Sequence, residues 1–300
     1  MNYAELLKVV NVSSKDCGYR TTDPTRRRAI VELVAANCPQ YELLHDGLIS
    51  LIFKHKELEP ALARGERLLL VSSHLDEVYP VPCFHVDHDA AAHPKNRLGL
   101  SEAWRGTFDN SSTNAALLHA MLHGALPPSA LVAFEGDEEG GMDDDDDMSG
   151  RGVYEVMTIC KHYEPKWGPL SLVVVLDVTP FMGGQAHLTI ENYFVGRSAN
   201  PRDPRRLSFP SKQALLNEVL RALPGVPNIH DDHPEAAPDS SWDYDEHKVS
   251  VLSLCMPVMF VGRESFEDPR GQIIFKDTPP AYIEALVTLT RHMSALGVAS

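Results

Sequence analysis

The chain has 300 residues, and its acidic residues outnumber lysine and arginine to give a formal net charge of −15. With 43% hydrophobic and 23% charged residues, it has the composition of an ordinary soluble globular protein, long enough for one large domain or two small ones. The negative charge argues against nucleic acid and anionic membrane surfaces as partners. No apolar run approaches the length that spans a bilayer, so we expect no membrane segment.

Cysteine usage and the first residues indicate a cytoplasmic protein. The five cysteines are odd in number and none lies in a C-x-x-C pair, which supports neither a zinc ribbon nor a disulfide framework. Reduced thiols are therefore the simplest interpretation. The N-terminus carries Glu5 near its start and lacks the apolar core of a signal peptide. The cysteines are Cys17, Cys38, Cys83, Cys160 and Cys255.

Two helices are predicted before the first buried strand. Residues 3–10 and about 25–37 have helical patterns, and Pro24 suits the first turn of the second helix, where a missing N–H costs little. Arg26 begins a run of three arginines in this helix, which is interpreted as a solvated face. Residues 41–55 fit either a further helix or a pair of strands.

An apolar run at 67–73 predicts a buried strand that ends in His74. Alternation along an extended chain places His74 and Asp76 on the same side. Asp76 could then orient the imidazole through one ring nitrogen while the other nitrogen binds a metal ion. The alternative is an ordinary polar residue at the rim of a sheet.

The next segment, 83–100, is rich in histidine and aspartate and is interpreted as a loop. Its side chains could bind a metal ion by themselves, but no regular spacing organises them into a fixed geometry. The residues concerned are His85, Asp87, His88, Asp89 and His93.

Asp109 stands just before a predicted helix whose apolar residues lie at 117, 118, 121 and 122. In one interpretation it caps the first turn of this helix, as aspartate commonly does. In the other, the helix start presents a carboxylate that bridges two cations. The local pattern alone leaves both interpretations open.

The segment 129–141 joins an apolar run to adjacent carboxylates. Residues 129–135 predict a buried parallel strand, and Glu138 and Glu139 follow at its carboxyl end, before glycines that permit a sharp turn. Open α/β folds bind ligands at such strand ends. Neighbouring carboxylates repel, so one of them is neutralised unless a cation lies between them. The alternative is a solvated acidic turn.

Five consecutive aspartates, Asp143 to Asp147, come after this turn. A run of like charges is normally solvated. The run also lacks the spaced ligands and the turn glycine of a calcium-binding loop, so calcium is not the favoured interpretation.

The plainest buried strand, 169–176, ends in Asp177 and again places an acid at the carboxyl end of a parallel-type strand. Taken alone, this aspartate fits an ordinary turn. The remaining strands are predicted at 186–196 and 249–255 and the remaining helices at 153–162, 211–223 and 280–296, while 226–247 and 262–278 have no regular pattern.

The alternation of strands and helices predicts one α/β domain with a largely parallel sheet. The carboxyl ends of parallel strands converge on one rim, so the strand-end and helix-start acids should meet there. Mixed imidazole and carboxylate ligands suit zinc or a cobalt-like divalent ion. A further glutamate outside the coordination shell can move protons. The candidate ligands are His74, Asp109, Glu139 and Asp177.

Four motifs and their order along the chain resemble those of the co-catalytic zinc exopeptidases, a clan of aminopeptidases, carboxypeptidases and related deacylases. They are H-x-D at His74, D-N at Asp109, E-E-G at Glu138 and the strand-terminal Asp177. The resemblance covers residues 67–180 and, more loosely, the helices at both ends. It implies a three-layer α/β/α domain with a mostly parallel, mixed central sheet, the phosphorylase/hydrolase-like fold.

The resemblance also implies a division of roles among these residues. Glu138 would be the general base, which takes a proton from a bridging water and passes it to the leaving amine. Asp76 would orient His74. Asp109 would bridge two zinc ions. His74 and Asp177 would bind one of these ions, and Glu139 would take part in binding the other.

Spacing argues against the lid or dimerisation domain that many members of this clan insert. Asp76 and Asp109 are 33 residues apart, and Asp177 lies 78 residues before the end of the last predicted strand. We therefore expect residues 1–300 to form a single catalytic domain without such an insertion.

The clan's pattern supplies a final histidine after the last core strand, and this histidine is missing. The segment that begins at Gln272 resembles the part of the clan where the histidine precedes an Asp-Thr pair, and glutamine is a poor zinc ligand. Acidic residues or other histidines could replace it, namely Glu264, Glu267, Asp268, His230, His233 or His247.

The sequence therefore predicts a metal-dependent hydrolase that cleaves an amide bond near a free terminus, with an aminopeptidase as the leading version. The alternatives are a deacylase of N-acyl amino acids that uses the same site, and a catalytically impaired member that binds a peptide or a partner protein. The expected cofactor is zinc, two ions per chain, or another divalent metal. The expected partner is a peptide or acyl-amino-acid substrate, with no nucleic acid and no membrane, and the oligomeric state is open.

Overall fold

The computed structural model describes residues 1–12, 24–76, 84–87, 92, 96–99, 102–136, 138, 150–196, 209–229, 239–260 and 272–296. The helices are α1 (Tyr3–Val10), α2 (Pro24–Asn37), α3 (Leu58–Ala63), α4 (Ser111–Leu122), α5 (Arg151–Trp167), α6 (Lys212–Ala222), α7 (Ser240–Glu246) and α8 (Thr278–Ala295). The strands are β1 (Tyr41–Asp46), β2 (Leu51–His55), β3 (Leu69–His74), β4 (Phe84–Asp87), β5 (Ala103–Gly106), β6 (Ala130–Glu135), β7 (Leu172–Thr179), β8 (Thr189–Phe194), β9 (Val251–Pro257), β10 (Met259–Phe260) and β11 (Gln272–Phe275).

The main sheet has the strand order β1-β2-β6-β3-β7-β9-β8. Its centre, β6-β3-β7-β9, is parallel, and β2 and β8 add antiparallel pairs on either side. Every residue of β3, β6, β7 and β9 is buried, as expected for strands covered on both faces. The predicted α/β class with a mostly parallel, mixed sheet is confirmed.

Helices cover both faces of this sheet and complete three layers. The larger apolar core joins one face to α1, α2, α4, α6 and α8, and the smaller core joins the other face to α3, α5 and α7. The sequence explains this burial, because side chains alternate along each strand between the two cores: Leu69 and Val71 belong to the larger one and Leu70 to the smaller one.

The parallel register brings the ends of the central strands to one rim. In β3 and β6, His74 lies opposite Glu135, and in β7 and β9, Asp177 lies opposite Cys255. Period-two alternation continues the row of Leu70 into His74 on the face that carries α5 and α7.

The local sequence fixes several helix ends. Asn2 caps α1, its Oδ1 accepting from the backbone N–H of Glu5 at 3.0 Å, while the Glu5 carboxylate accepts from the Asn2 N–H at 2.8 Å. This reciprocal pair satisfies two N–H groups that have no partner within the helix. Ser211 caps α6 with one bond, its hydroxyl accepting from the Ala214 N–H. Prolines in the first turn of α8 fit a position where no N–H is needed.

Three sequence interpretations are corrected by a second, four-stranded sheet and a short helix. The predicted loop 83–100 contains β4, the predicted loop 262–278 contains β11, and the irregular region 226–247 contains α7. The second sheet has the order β10-β11-β5-β4. Its strands have no more than four residues each, too few to show a period. Its central pair, β11 and β5, joins segments about 170 residues apart in the chain.

Two further interpretations change. The ambiguous segment 41–55 forms the antiparallel pair β1 and β2. Arg26 is not part of a solvated face: its side chain is 1% exposed. Helix α2 therefore presents Arg26 inwards together with Ile30 and Leu33.

Within the part of the chain that the structure describes, no helix has both the length and the apolar character needed to cross a membrane. The expected single catalytic domain without a lid or dimerisation insertion remains a prediction.

Candidate metal centre

Three of the four predicted ligands meet at the rim of the main sheet. His74 Nε2 lies 3.0 Å from Asp109 Oδ1 and 3.5 Å from Asp177 Oδ1. One ligand atom from each of the three residues lies within 4.8 Å of the other two. His74 is buried and the Asp109 and Asp177 side chains are 14% and 13% exposed, so the cluster opens towards solvent on one side.

Three different elements supply these side chains. His74 ends β3, Asp177 lies near the end of the neighbouring β7, and Asp109 lies two residues before α4. The start of α4 is attached to β7 because Asn110 Nδ2 donates to the Leu176 carbonyl at 2.7 Å. Asp109 is thus held beside the strand end that carries Asp177. The N-cap residue of α4 is Asn110, so Asp109 does not cap this helix.

Asp76 lies beside the imidazole of His74, and its predicted role of orienting this ring remains a prediction. The ring Nδ1 lies 3.1 Å from the Asp76 carbonyl oxygen and 3.5 Å from the Asp76 carboxylate. If Nδ1 carries the proton in this contact, Nε2 has the lone pair that a metal ion requires. That nitrogen faces Asp109 and Asp177.

Glu138 stands beside the same nitrogen at a greater distance. Its Oε2 is 4.0 Å from His74 Nε2, and its side chain is 15% exposed. The turn that carries it packs against the start of α5, where a Cβ at Gly152 would overlap the carbonyl oxygen of Gly136. The predicted ligand Glu139 and the aspartate run 143–147 lie outside the described residues.

The electrostatics of this centre show an excess of negative charge. Burial lowers the pKa of His74, but the charge of Glu138 and hydrogen bonds to the carboxylates of Asp109, Asp177 and Asp76 raise it well above the ordinary value. Burial raises the pKa of Asp177 to about 7 against the lowering effect of His74. Without a metal ion the centre therefore holds protons at neutral pH.

Two buried acids near Asp177 were not predicted as site residues. Asp239 is the N-cap of α7 and accepts from the backbone N–H of Ser241 at 2.8 Å. Burial raises the pKa of Glu191 to about 7, with Asp239 and Asp177 adding to the shift. The N-cap position of Asp239 before Ser240 was the one available signal, but it indicates a helix start and not a contribution to a site.

The structure reduces the number of residues that could replace the missing histidine ligand. Gln272 is buried and its Oε1 accepts from the Phe108 N–H at 2.6 Å, so this oxygen supports the segment that leads to Asp109. His247 lies at the far end of α7, with its ring 6.0 Å from Tyr154 and its Nδ1 3.5 Å from Lys161, and is not brought to the centre. The other candidates lie outside the described residues, namely His230, His233, Glu264, Glu267 and Asp268.

The second possible metal cluster, around His85, is not supported by its described members. Asp87 is paired with Arg105, whose guanidinium lies 2.6 Å from the carboxylate. Those two residues stabilise the β4–β5 pair of the second sheet. The remaining members, His88, Asp89 and His93, lie outside the described residues.

Solved structures with a similar fold include peptidases and cyclases. The TET aminopeptidase of a Thaumarchaeota archaeon superposes with a TM-score of 0.55 and 11% identity, over 98% of this chain and 97% of that chain. PepT aminopeptidase of Bacillus cereus gives 0.53 and 10%, over 98% and 99%. The glutaminyl cyclase of Macrostomum lignano gives 0.56 and 11%, over 97% and 88%. No protein-family profile and no curated protein matches the sequence.

These likenesses extend over almost the whole chain at low sequence identity, so they establish the fold and leave the activity to be argued from the site. They agree with the motif order, which led independently to the same clan. The chain has the fold of the zinc exopeptidase clan.

Proposed function

We propose that this protein is a zinc-dependent aminopeptidase that hydrolyses the amide bond after a free amino terminus. The observation that carries the proposal is the convergence of His74 Nε2, Asp109 Oδ1 and Asp177 Oδ1 at the carboxyl ends of parallel strands, with Glu138 Oε2 4.0 Å from the imidazole. An imidazole nitrogen and carboxylate oxygens are ligands that zinc prefers.

The residues present fit a divalent cation. Two carboxylates converge on a single imidazole. The raised pKa values of His74 and Asp177 agree with an excess of negative charge in the cluster, which a cation would balance. We propose that His74, Asp109 and Asp177 hold zinc and that Glu139 completes the set. Bound zinc would polarise the substrate carbonyl and make a nearby water more acidic.

The chain's own residues supply the proton transfers in this proposal. Glu138 takes a proton from the attacking water as the water oxygen bonds to the carbonyl carbon. It then returns that proton to the amine nitrogen as the carbon–nitrogen bond breaks. Glu138 suits this role because it lies beside the ligand cluster, three residues past the end of β6 and at a partly exposed position. Asp76 keeps the His74 ring in place throughout.

The charge of the centre favours an amino-terminal substrate. Besides the ligands and Glu138, the buried Asp239 raises the pKa of Asp177, and Asp239 and Asp177 together raise the pKa of the buried Glu191. An acidic surrounding attracts the ammonium group of a free amino terminus. It disfavours the carboxylate of an N-acyl amino acid, which is why we place the deacylase second.

The proposal is tested by replacing Glu138 and measuring metal content and hydrolysis separately. Wild-type protein is expected to contain about two equivalents of zinc by elemental analysis and to release product from aminoacyl amides. Glu138→Gln should retain the zinc and lose hydrolysis by about 10²- to 10⁴-fold. Glu164→Gln, on an exposed turn of α5, is the matched control and should behave as wild type.

Each alternative has its own signature in the same experiment. A deacylase would release amino acids from acyl-amino-acid substrates and leave aminoacyl amides intact. A catalytically impaired protein would hydrolyse neither class even with zinc bound. Protein that takes up no zinc after supplementation would contradict the metal-dependent hydrolase altogether.

We also propose a location and a class of partner for this protein. A cytoplasmic enzyme that acts on peptides, with no nucleic acid or membrane partner, agrees with the acidic composition and the scattered cysteines.

A further inference from the structure

Arg26 is a buried cation that the proposed reaction does not use. Its side chain is 1% exposed, whereas the adjacent Arg27 forms an ion pair with Asp46 near the surface. Removing a guanidinium from water is costly unless its donors find acceptors inside the protein. One acceptor of Arg26 connects it to the metal centre.

Arg26 acts on the chain turn between two residues of the metal centre. Its Nη1 donates to the Leu75 carbonyl at 2.7 Å, across 49 residues of sequence. Leu75 lies between His74 and Asp76, one residue past the end of β3. Here the chain leaves the strand, so its path depends on contacts from other elements.

Two other contacts hold further backbone groups of this turn. The Leu75 N–H donates to the Glu135 carbonyl at 2.5 Å, and Asn114 Nδ2 donates to the His74 carbonyl at 2.8 Å. Together with Arg26, these contacts come from β6, α4 and α2 and hold the turn from three directions. A rotation of the Leu75 peptide would move Asp76 relative to the imidazole that it orients.

We infer that Arg26 is a positioning residue of the metal centre, which sets zinc affinity by holding the Leu75 peptide and, through it, the orientation of His74 by Asp76. The inference rests on the proposed function, because it takes His74 as a zinc ligand. Arg26 touches neither the substrate nor the metal. Its effect is comparable to that of other groups behind metal ligands, whose loss weakens binding by about 10- to 100-fold.

The experiment measures the zinc dissociation constant by competition with a chromogenic chelator, in protein shown to be folded by circular dichroism. Arg26→Met is expected to weaken zinc binding by about 10- to 100-fold. Arg26→Lys keeps the charge but loses the planar donor geometry, and should weaken binding by roughly 3- to 10-fold. Arg27→Met, at the neighbouring arginine that pairs with Asp46, is the matched control and should stay within about twofold of wild type.

A coupling measurement separates positioning from a general loss of stability. In an Asp76→Asn background, where the imidazole loses the carboxylate but keeps the Asp76 carbonyl, Arg26→Met should weaken zinc binding by a smaller factor than in the wild-type background. A merely structural role would give the same factor in both backgrounds. In hydrolysis assays at saturating zinc, Arg26→Met should lower kcat and leave KM nearly unchanged, since the ligands move and the substrate pocket does not.

The outcomes distinguish the two levels of the argument. If wild-type protein binds no zinc, the proposed function fails and this inference fails with it. If wild-type protein binds zinc but folded Arg26→Met binds it equally well, the positioning role alone is overturned. Should Arg26→Met fail to fold, Arg26→Lys decides in its place, and unchanged zinc affinity in that variant would contradict the inference.

Discussion

Two groups of polar residues lie near the end of β6, and their carboxyl groups have different surroundings. In the inner group, Glu135 stands among hydroxyls: the Tyr244 hydroxyl lies 2.7 Å from its Oε2 and 3.1 Å from Ser72 Oγ. In the metal centre, Asp109 and Asp177 converge on the single imidazole of His74. The groups are neighbours, since Glu135 lies opposite His74 in the sheet.

The difference shows what decides between a proton and a metal ion. Burial raises the pKa of Glu135 to about 7, and hydrogen bonds from Tyr244, Ser240 and Ser72 lower it only in part. One isolated carboxyl can therefore be neutralised by one proton. Two carboxylates around one imidazole, with Glu138 beside them, carry more negative charge than that imidazole can balance. A divalent cation suits this second arrangement and not the first.

The largest expected effect tests the metal side of this comparison. Asp177→Asn removes a proposed ligand and should weaken zinc binding by about 1,000-fold, or about 4 kcal/mol. Glu135→Gln, a matched carboxyl-to-amide change in the inner group, should leave zinc affinity within about twofold. Chelator competition measures both variants, and equal losses would show that the two groups act as one site.

The second prediction tests whether Glu135 is neutralised by a proton. Because the pKa of Glu135 rises from 4.5 to about 7 on folding, its protonated form contributes stability below pH 4.5 that is lost as pH rises through about 7. The loss should be roughly 3 kcal/mol. Glu135→Gln cannot ionise, so its free energy of unfolding should decline less than that of wild type between pH 4.5 and 8. Urea unfolding at several pH values measures the difference, and identical declines would refute the assignment.

The third prediction concerns the pH dependence of zinc binding. His74 and Asp177 both have raised pKa values without metal, so zinc must displace protons near neutral pH. Zinc affinity should therefore rise by about 10- to 100-fold between pH 6 and 8. Isothermal titration in buffers of different ionisation enthalpy counts the released protons, and a release of none would contradict the charge balance described for the centre.

The smallest expected effect comes from removing the Tyr244 hydroxyl in the inner group. Tyr244→Phe removes the hydrogen bond to Glu135 and should lower the free energy of unfolding by about 1–2 kcal/mol at pH 5. Tyr154→Phe, at a side chain that is 66% exposed, is the control and should change it by less than about 0.5 kcal/mol. A loss of zinc affinity in Tyr244→Phe would show that the inner group supports the metal centre.

Elements with a strong local pattern could be predicted from the sequence. The valine-rich β7 is buried on both faces, and its apolar composition alone predicts this. The convergence of His74, Asp109 and Asp177 followed from the strand-end rule and the motif order. In contrast, β11 depends on pairing with β5, about 170 residues earlier in the chain, and no local pattern encodes that pairing.

The remaining site features were hidden because burial of a charged residue has no sequence signature. Three adjacent arginines look alike, yet Arg26 points inwards while Arg27 pairs near the surface. Glu135 has the sequence pattern of a polar strand end, yet its side chain is buried and accepts from the Tyr244 hydroxyl of α7. Such residues are placed by tertiary contacts and not by periodicity.

The contact between Gly136 and Gly152 has a consequence for how this chain tolerates mutation. No side chain fits at residue 152 without displacing the turn that leads to Glu138, because its Cβ would overlap a backbone oxygen and not a flexible side chain. In a saturation scan scored for function, residue 152 should therefore be as intolerant as a metal ligand, although it carries no chemical group. Searches for distant relatives would then do well to weight this glycine alongside the acids.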